Sequence, residues 1–408
     1  MNILLINHYA GSPDMGMEFR PYYMAREWIK KGHRVHFIAA DFSHLRRKNP
    51  EITEDFQEEI IDGIHYHWVK TVKYDGNGVK RFLTMLQFVG KIRRNAKRIL
   101  ESIAPDVVIT SSTYPLDTYA GQKLVKKSKK PVQLIHEIHD MWPITPIELY
   151  HMPKWHPFVI LMQWGENSFC KHADKVVSLP CNAKKYLMEH GMSADKFVHI
   201  SNGIVKEEWE YPEPLEPNIK QCISDWKKEN KFIICFFGSV IHSYALTTLL
   251  DAVEQLNDSR LQVIIVGNGI DKQELVEKSK NNSQVFFFEP IPKNQIPSLL
   301  EEVDAIYVAG KGNSVFRFGI CMNKLFDSMM SGKPLLYAVD APNNYVVDYQ
   351  CGVSVEAENV DELTKGIEKL LSASTEELYV MGQRGRQAVL ENFTYDILAD
   401  KFLDVMKY

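Results

Sequence analysis

"NILLINHYAGSPDMGMEFRPYYMAREWIKKGHRVHFIAA", residues 2–40, decides the fold class. "NILLIN" is an unbroken apolar run of the kind a strand buried on both faces requires. "HYAGSPDMGME" follows as a glycine-containing loop. "RPYYMAREWIKKG" then has the periodicity of an amphipathic helix, and Gly32 stands where a helix closes. "RVHFIAA" is a second buried run, so the stretch reads as a strand–loop–helix–strand unit with parallel strands. The pattern continues in "PDVVITSS" (105–112), "PVQLIHEI" (131–138), "ADKVVSLP" (173–180) and "FVHISNG" (197–203). Such alternation predicts a parallel sheet with helices on both faces.

The composition then changes. "EYPEPLEPNIKQ" (210–221) is proline-rich and reads as a linker. A second α/β series follows in "KFIICFFGS", "LQVIIVGNG", "QVFFFEP", "DAIYVAG", "PLLYAV" and "GVSVE". The expected organisation is a first Rossmann-like domain over 1–208, a hinge over 209–222 and a second Rossmann-like domain over 223–388. A C-terminal helix over 389–408 is placed so that it can return to the first domain.

At 408 residues the chain is long enough for two cores. A formal net charge of −4 excludes the strongly basic character of a general nucleic-acid binder. The N-terminus has no basic region before its apolar run, and no apolar stretch has the ~20 residues needed to span a bilayer. The six cysteines are scattered without a C-x-x-C pair, which predicts reduced thiols in a cytoplasmic protein.

"LIHEIHDMWP" (134–143) concentrates polar chemistry at a strand end. A zinc-protease helix needs His-Glu-x-x-His, and here His139 follows His136 at i+3. His139 is therefore either a functional histidine at a strand tip or one satisfied locally, and Asp140 either orients it or caps the next turn. His65 and His67 share a strand face; without an acid or cysteine at useful spacing, they read as a polar edge-strand face instead of a metal pair. The loop carrying Gly11 and Gly16 lacks the dinucleotide-fingerprint spacing, and so does the loop carrying Gly267 and Gly269.

In "FGICMNKLFDSMMSGKP" (318–334), Gly332 and Pro334 mark a helix end and Asn323 is the expected N-cap. Lys324 falls in the first turn, where a helix favours phosphate. Asp327 is three residues on. The two form either a phosphate-and-ribose site for a sugar nucleotide or a surface ion pair.

In order and spacing, "GMEFRPYYMAREWIKKGHRV", "HDMWP", "ADKVV" with "ISNGI", "FFGS", "VIIVGNG" and "NKLFDSMMSGKPLL" together resemble the GT-B glycosyltransferases. They resemble glycosyltransferase family four in particular, and within it the bacterial surface-polysaccharide and O-antigen enzymes. The resemblance implies an α/β fold of two Rossmann-like domains whose parallel sheets face a central cleft. It assigns His139 to the active-site histidine, Asp327 to the ribose-binding acid and Lys324 to a lysine carried by many polysaccharide members. Gly238 and Ser239 fall on the loop that approaches the diphosphate. Gly267, Gly269, Arg317, Gly319, Ile320 and Leu325 complete the expected donor site, with Lys311 a helper cation. Gly11, Gly16, Glu18, Arg20 and Asp140 line the acceptor side. The family's first glutamate falls at Gly319, and the second acid is Asp.

The implied activity is metal-independent transfer, with retention, of a hexosyl or N-acetylhexosaminyl unit from a nucleotide diphosphate sugar, UDP favoured. The implied acceptor is a lipid-linked saccharide, and no cofactor is called for. Another GT-B enzyme, such as a sugar-nucleotide epimerase, or a non-catalytic GT-B partner subunit is the alternative. Finally, residues 80–101 read as one helix with an apolar stripe at Phe82, Leu86, Val89, Ile92, Ala96 and Leu100. Its basic flank, with Arg93, Arg94, Lys97 and Arg98, suits peripheral binding to an anionic inner-membrane surface, aided by Leu83 and Phe88.

Overall fold

A computed structural model describes residues 1–16, 19–76 and 78–406, so Glu18 lies outside the described residues. The chain divides into two compact units. The first comprises residues 1–202, 318–320 and 395–408, and the second residues 203–317 and 321–394.

The first unit holds an eight-stranded sheet: β1 (Asn2–Ile6), β2 (Arg34–Ala40), β3 (Gln57–Ile61), β4 (Ile64–Val69), β5 (Val107–Thr110), β6 (Gln133–Ile138), β7 (Lys175–Ser178) and β8 (Phe197–His199). Their order is β3-β4-β2-β1-β5-β6-β7-β8. Every pairing is parallel except the β3–β4 hairpin. The order reverses between β1 and β5, so the loops leaving the C-terminal ends of these strands face the position where such sheets bind ligands. β6, buried along its whole length, lies next to β5.

β3 was not anticipated: "QEEII" is polar and largely solvent-facing, and it pairs as the outer strand of the hairpin. It covers β4, so His65 and His67 lie on an inner strand and not on an edge. The closing helix Tyr395–Met406 packs on the helix Phe19–Lys30. Trp28 meets Phe402 edge-on at 5.3 Å between ring centroids and donates its indole N–H to the Ala399 carbonyl at 3.4 Å. The expected start of this segment at 389 is corrected, because the helix Thr375–Asn392 runs through that position within the second unit.

The basic segment is two helices, Val79–Arg94 and Ala96–Ile103, joined at Asn95. Arg93, Arg94, Lys97 and Arg98 are exposed, but Lys91 turns inward to Asp55 at 2.8 Å. The expected stripe is corrected at Leu86, which is exposed. Phe88, expected to aid insertion, is fully buried with its ring 4.7 Å from that of His8, so it has no part in insertion.

The second unit holds β9 (Phe232–Phe237), β10 (Leu261–Val266), β11 (Val285–Phe288), β12 (Ala305–Ala309), β13 (Leu335–Ala338) and β14 (Gly352–Val355). All are parallel, in the order β11-β10-β9-β12-β13-β14. This order reverses between β9 and β12, which places the Gly238 loop at that position. The expected hinge is also corrected. Pro217 opens the helix Pro217–Lys228, whose Ile219, Ile223 and Trp226 are buried at helical spacing. No helix among the described residues is long and apolar enough to cross a membrane.

Candidate active site

In the first unit the site begins with strand alternation. His136 and Glu137 point to opposite faces of β6, and His139 continues on the Glu137 side. His136 is buried, stacked on Phe169 with centroids 3.9 Å apart and joined through Nδ1 to the Thr110 hydroxyl at 2.7 Å. It serves the core. His139 turns Nε2 to the Ser111 hydroxyl at 2.9 Å and to Glu137 Oε2 at 3.3 Å. Ser111 donates to Glu137 Oε2 at 2.7 Å, so its lone pair accepts from His139. This network directs the Nε2–H of His139 to Ser111 and Glu137.

Glu137 is buried. Burial alone would push its carboxyl up, but the Arg20 guanidinium and then His139 and Ser111 outweigh this and hold it well below the usual range. Arg20 contacts Glu137 Oε1 through Nε at 3.1 Å and Nη2 at 3.0 Å. Its other donors reach the carbonyls of Ile200 and Ser201 and the Asn202 side chain. Arg20 is therefore corrected from an acceptor-side contact to a buried anchor for the Glu137–His139 pair.

Asp140 is exposed next to this pair, and Glu137 is a carboxylate that orients His139. The recess around His139 also contains Glu166. Burial pushes the Glu166 carboxyl up to about 8, against hydrogen bonds from Tyr186 and Gln163. Gly11 and Gly16 belong to the loop after β1. The Gly11 carbonyl accepts from Tyr66 at 2.7 Å, and Gly16 adopts φ +78° beside Arg47.

In the second unit, the helix Asn323–Met330 has Met322 at its N-cap, correcting the expected Asn323, and no side chain caps it. Lys324 extends from its first turn over the Tyr244 ring, with Nζ 3.2 Å from the centroid, and over Phe236 at 4.4 Å. Although its stem is partly exposed, Nζ is enclosed and has no hydrogen-bond partner. Burial pulls its pKa down to about 7. Gly238 has φ +115°, and a Cβ there would come within 3.3 Å of Lys324 Nζ. A bare backbone turn and an unpaired ammonium thus face the same small space, and Ser239 lies exposed next to them.

Asp327 does not pair with Lys324, which removes the ion-pair alternative. Burial pushes Asp327 up to about 6, with Lys293 and the Trp209 indole N–H opposing and Glu208 adding to the rise. Gly267 and Gly269 are explained by packing. A Cβ on Gly267 would lie 1.8 Å from the Gly238 carbonyl oxygen, and one on Gly269 would lie 2.1 Å from that of Val240. They hold the Gly238 loop closely, through the bonds Gly238 N–H to Val266 O at 3.0 Å and Val240 N–H to Asn268 O at 2.9 Å.

Leu325 is corrected to a core residue, fully buried. Arg317 is exposed and bonded to the Ser314 carbonyl. Gly319 and Ile320 pack with the first unit, where the Asn182 amide bonds the Phe318 carbonyl at 2.8 Å. Lys311 Nζ lies 2.5 Å from His242 Nε2 and its amide bonds the Ser243 carbonyl, tying the β12 loop to the β9 loop.

Residues 15–208 match the model described as Glycosyltransferase Family 4, and residues 220–388 match Glycosyl transferases group 1. The protein is a glycosyltransferase. Its fold is GT-B, as in a glycosyltransferase from Rickettsia africae that is 17% identical with a TM-score of 0.70, over 99% of this chain and 97% of that one. Sucrose-phosphate synthase from Thermosynechococcus elongatus is 14% identical with a TM-score of 0.69, over 99% and 97% of the two chains. Anabaena HepE, solved in complex with UDP, is 14% identical with a TM-score of 0.67, over 100% and 99%. No curated protein matches the enzyme by sequence.

Proposed function

We propose that the enzyme takes a hexosyl or N-acetylhexosaminyl unit from a UDP-sugar and transfers it, with retention and without a metal, to a lipid-linked saccharide of a surface-polysaccharide pathway. The observation that carries the reading is Lys324: an enclosed ammonium without an acceptor, beside a side-chain-free turn at the ligand-binding end of the second sheet. Burying a charge unpaired is costly, and a diphosphate supplies the missing acceptor. HepE binds UDP and UDP-glucose, which supports the nucleotide assignment.

In the reaction, negative charge grows on the departing diphosphate while the anomeric carbon gains positive character. Lys324 and the uncapped helix start at Asn323 meet the first change, as preorganised groups that need not reorient. His139 meets the second, from a ring that Ser111 and Glu137 fix at the strand tip. Asp327 accepts from the ribose hydroxyls. The exposed cations Arg93, Arg94, Lys97 and Arg98 hold the enzyme at the anionic membrane face where lipid-linked acceptors reside.

A thermal-shift panel of UDP-, GDP-, ADP- and TDP-sugars tests the donor. A nucleotide sugar at ~100 times its Kd adds ~2.7 kcal/mol of stability, so the UDP compounds are expected to raise Tm most. A larger rise with another base reassigns the donor. No rise with any of them overturns the reading.

A further inference from the structure

Three imidazoles and a carboxylate meet on one face of the first sheet, separated from His139 by two intervening strands, β1 and β5. They come from three adjacent strands. The register sets His36 of β2 opposite His65 of β4, and Glu58 of β3 opposite His67 of β4. The His36 ring stacks on His65 at 4.7 Å and on His67 at 5.3 Å, with 15° between the latter planes. His36 Nδ1 lies 3.0 Å from His67 Nε2, and His65 Nδ1 lies 2.6 Å from Glu58 Oε1. Donor atoms of His36, His67 and Glu58 all fall within 4.8 Å of one another.

The His36–His67 contact sets two imidazole nitrogens face to face. In their contact one ring nitrogen of the His36–His67 pair must carry the proton, and a bound ion would use both lone pairs instead. Tetrahedral zinc with bonds of ~2.0–2.1 Å spaces its ligand atoms at roughly 3.3 Å, close to the 3.0 Å between His36 Nδ1 and His67 Nε2. A recess lined in part by Glu58, His67, Arg98 and Ser102 gives access from solvent.

We propose that His36, His67 and Glu58 bind a divalent transition-metal ion of the Zn²⁺ class, with water in the fourth position and His65 orienting Glu58. Two imidazoles and one carboxylate are a borderline donor set that suits zinc better than magnesium or calcium. Arg98 lines the recess beside Glu58. The ion would clamp the outer hairpin to β2, a structural role distinct from sugar transfer.

The test uses tag-free full-length enzyme stripped with EDTA, then titrated with Zn²⁺, Co²⁺ or Mg²⁺. One equivalent of Zn²⁺ is expected to raise Tm, Co²⁺ to give the visible absorption of a tetrahedral site, and Mg²⁺ to do neither. Glu58→Gln and His67→Gln are expected to abolish both signals, and His65→Gln to weaken binding ~10–100-fold, the usual effect of losing an outer partner. No Zn²⁺-dependent rise in the wild type overturns the site. So does an unchanged rise in Glu58→Gln, whose exposed position makes misfolding a minor concern. If a variant fails to fold, the presence or absence of the wild-type Co²⁺ spectrum decides.

Discussion

An ammonium resting on two ring faces without a hydrogen-bond acceptor is held at a cost until an anion arrives. For Lys324 this links donor binding to pH. Burial sets its pKa in the free enzyme at about 7, below the ordinary 10.5, and a bound diphosphate raises it. The complex therefore holds a proton that the free enzyme loses above that pH. UDP affinity should stay level below about pH 7 and then fall by up to tenfold per unit, a slope absent in Lys324→Ala. Calorimetric titrations at several pH values check this, and equal slopes in wild type and variant would remove Lys324 from the site. At saturating proton concentration Lys324→Ala should bind UDP ~10–100-fold more weakly, as expected for a charge-assisted hydrogen bond. His139→Ala should leave the fold and UDP binding intact but lower turnover ~10²–10³-fold. Near-wild-type turnover would end its assignment. The histidine was legible as a strand-tip residue, and strand alternation also carries the signal for Glu137, two residues earlier on the same side. The sequence could not indicate that Arg20, 117 positions away, neutralises that carboxylate.

Elements were legible in proportion to how fully they are buried. β1, β6, β9 and β10 are enclosed on both faces and read as apolar runs. β3 is half solvated, so "QEEII" carries little strand signal, and its omission hid the carboxylate that joins His36 and His67. The break at Asn95 was equally hidden, because neither Gly nor Pro marks it. This break does not remove the exposed basic group. Each Lys or Arg engaged with an anionic leaflet contributes ~1 kcal/mol, so four together give reversible, salt-sensitive attachment. Leu83 and Leu86, both exposed, are the apolar residues beside them, in place of Phe88. Flotation should show binding to anionic but not neutral vesicles, lost when Arg93, Arg94, Lys97 and Arg98 become Gln. Equal flotation of wild type and variant would leave these helices as ordinary domain surface.

At the scale of the whole molecule, the fold alone does not fix the chemistry, since neighbours at 17% and 14% identity share it. On the proposed reading, the positive charge at the Gly238 loop comes from Lys324. Lys324 stands beside Gly238, and the carboxylate on the same helix, Asp327, is engaged with Trp209 and Lys293. The metal-competent cluster belongs to β2, β3 and β4 of the first sheet, not to the strand end that carries His139. Chelation should therefore separate two properties that a catalytic metal would couple. EDTA is expected to lower Tm by emptying the histidine cluster while turnover, measured well below the new Tm, stays near its starting value. If, as proposed, the lysine supplies the charge that a Mg²⁺–diphosphate contact would supply, added Mg²⁺ or Mn²⁺ should raise the rate little. Complete loss of transfer on chelation, restored by either ion, would show that the diphosphate departs under metal control and that Lys324 is at most an auxiliary. Absence of both transfer and nucleotide-sugar hydrolysis with every donor, before any chelation, would instead favour a binding partner built on an enzyme's fold.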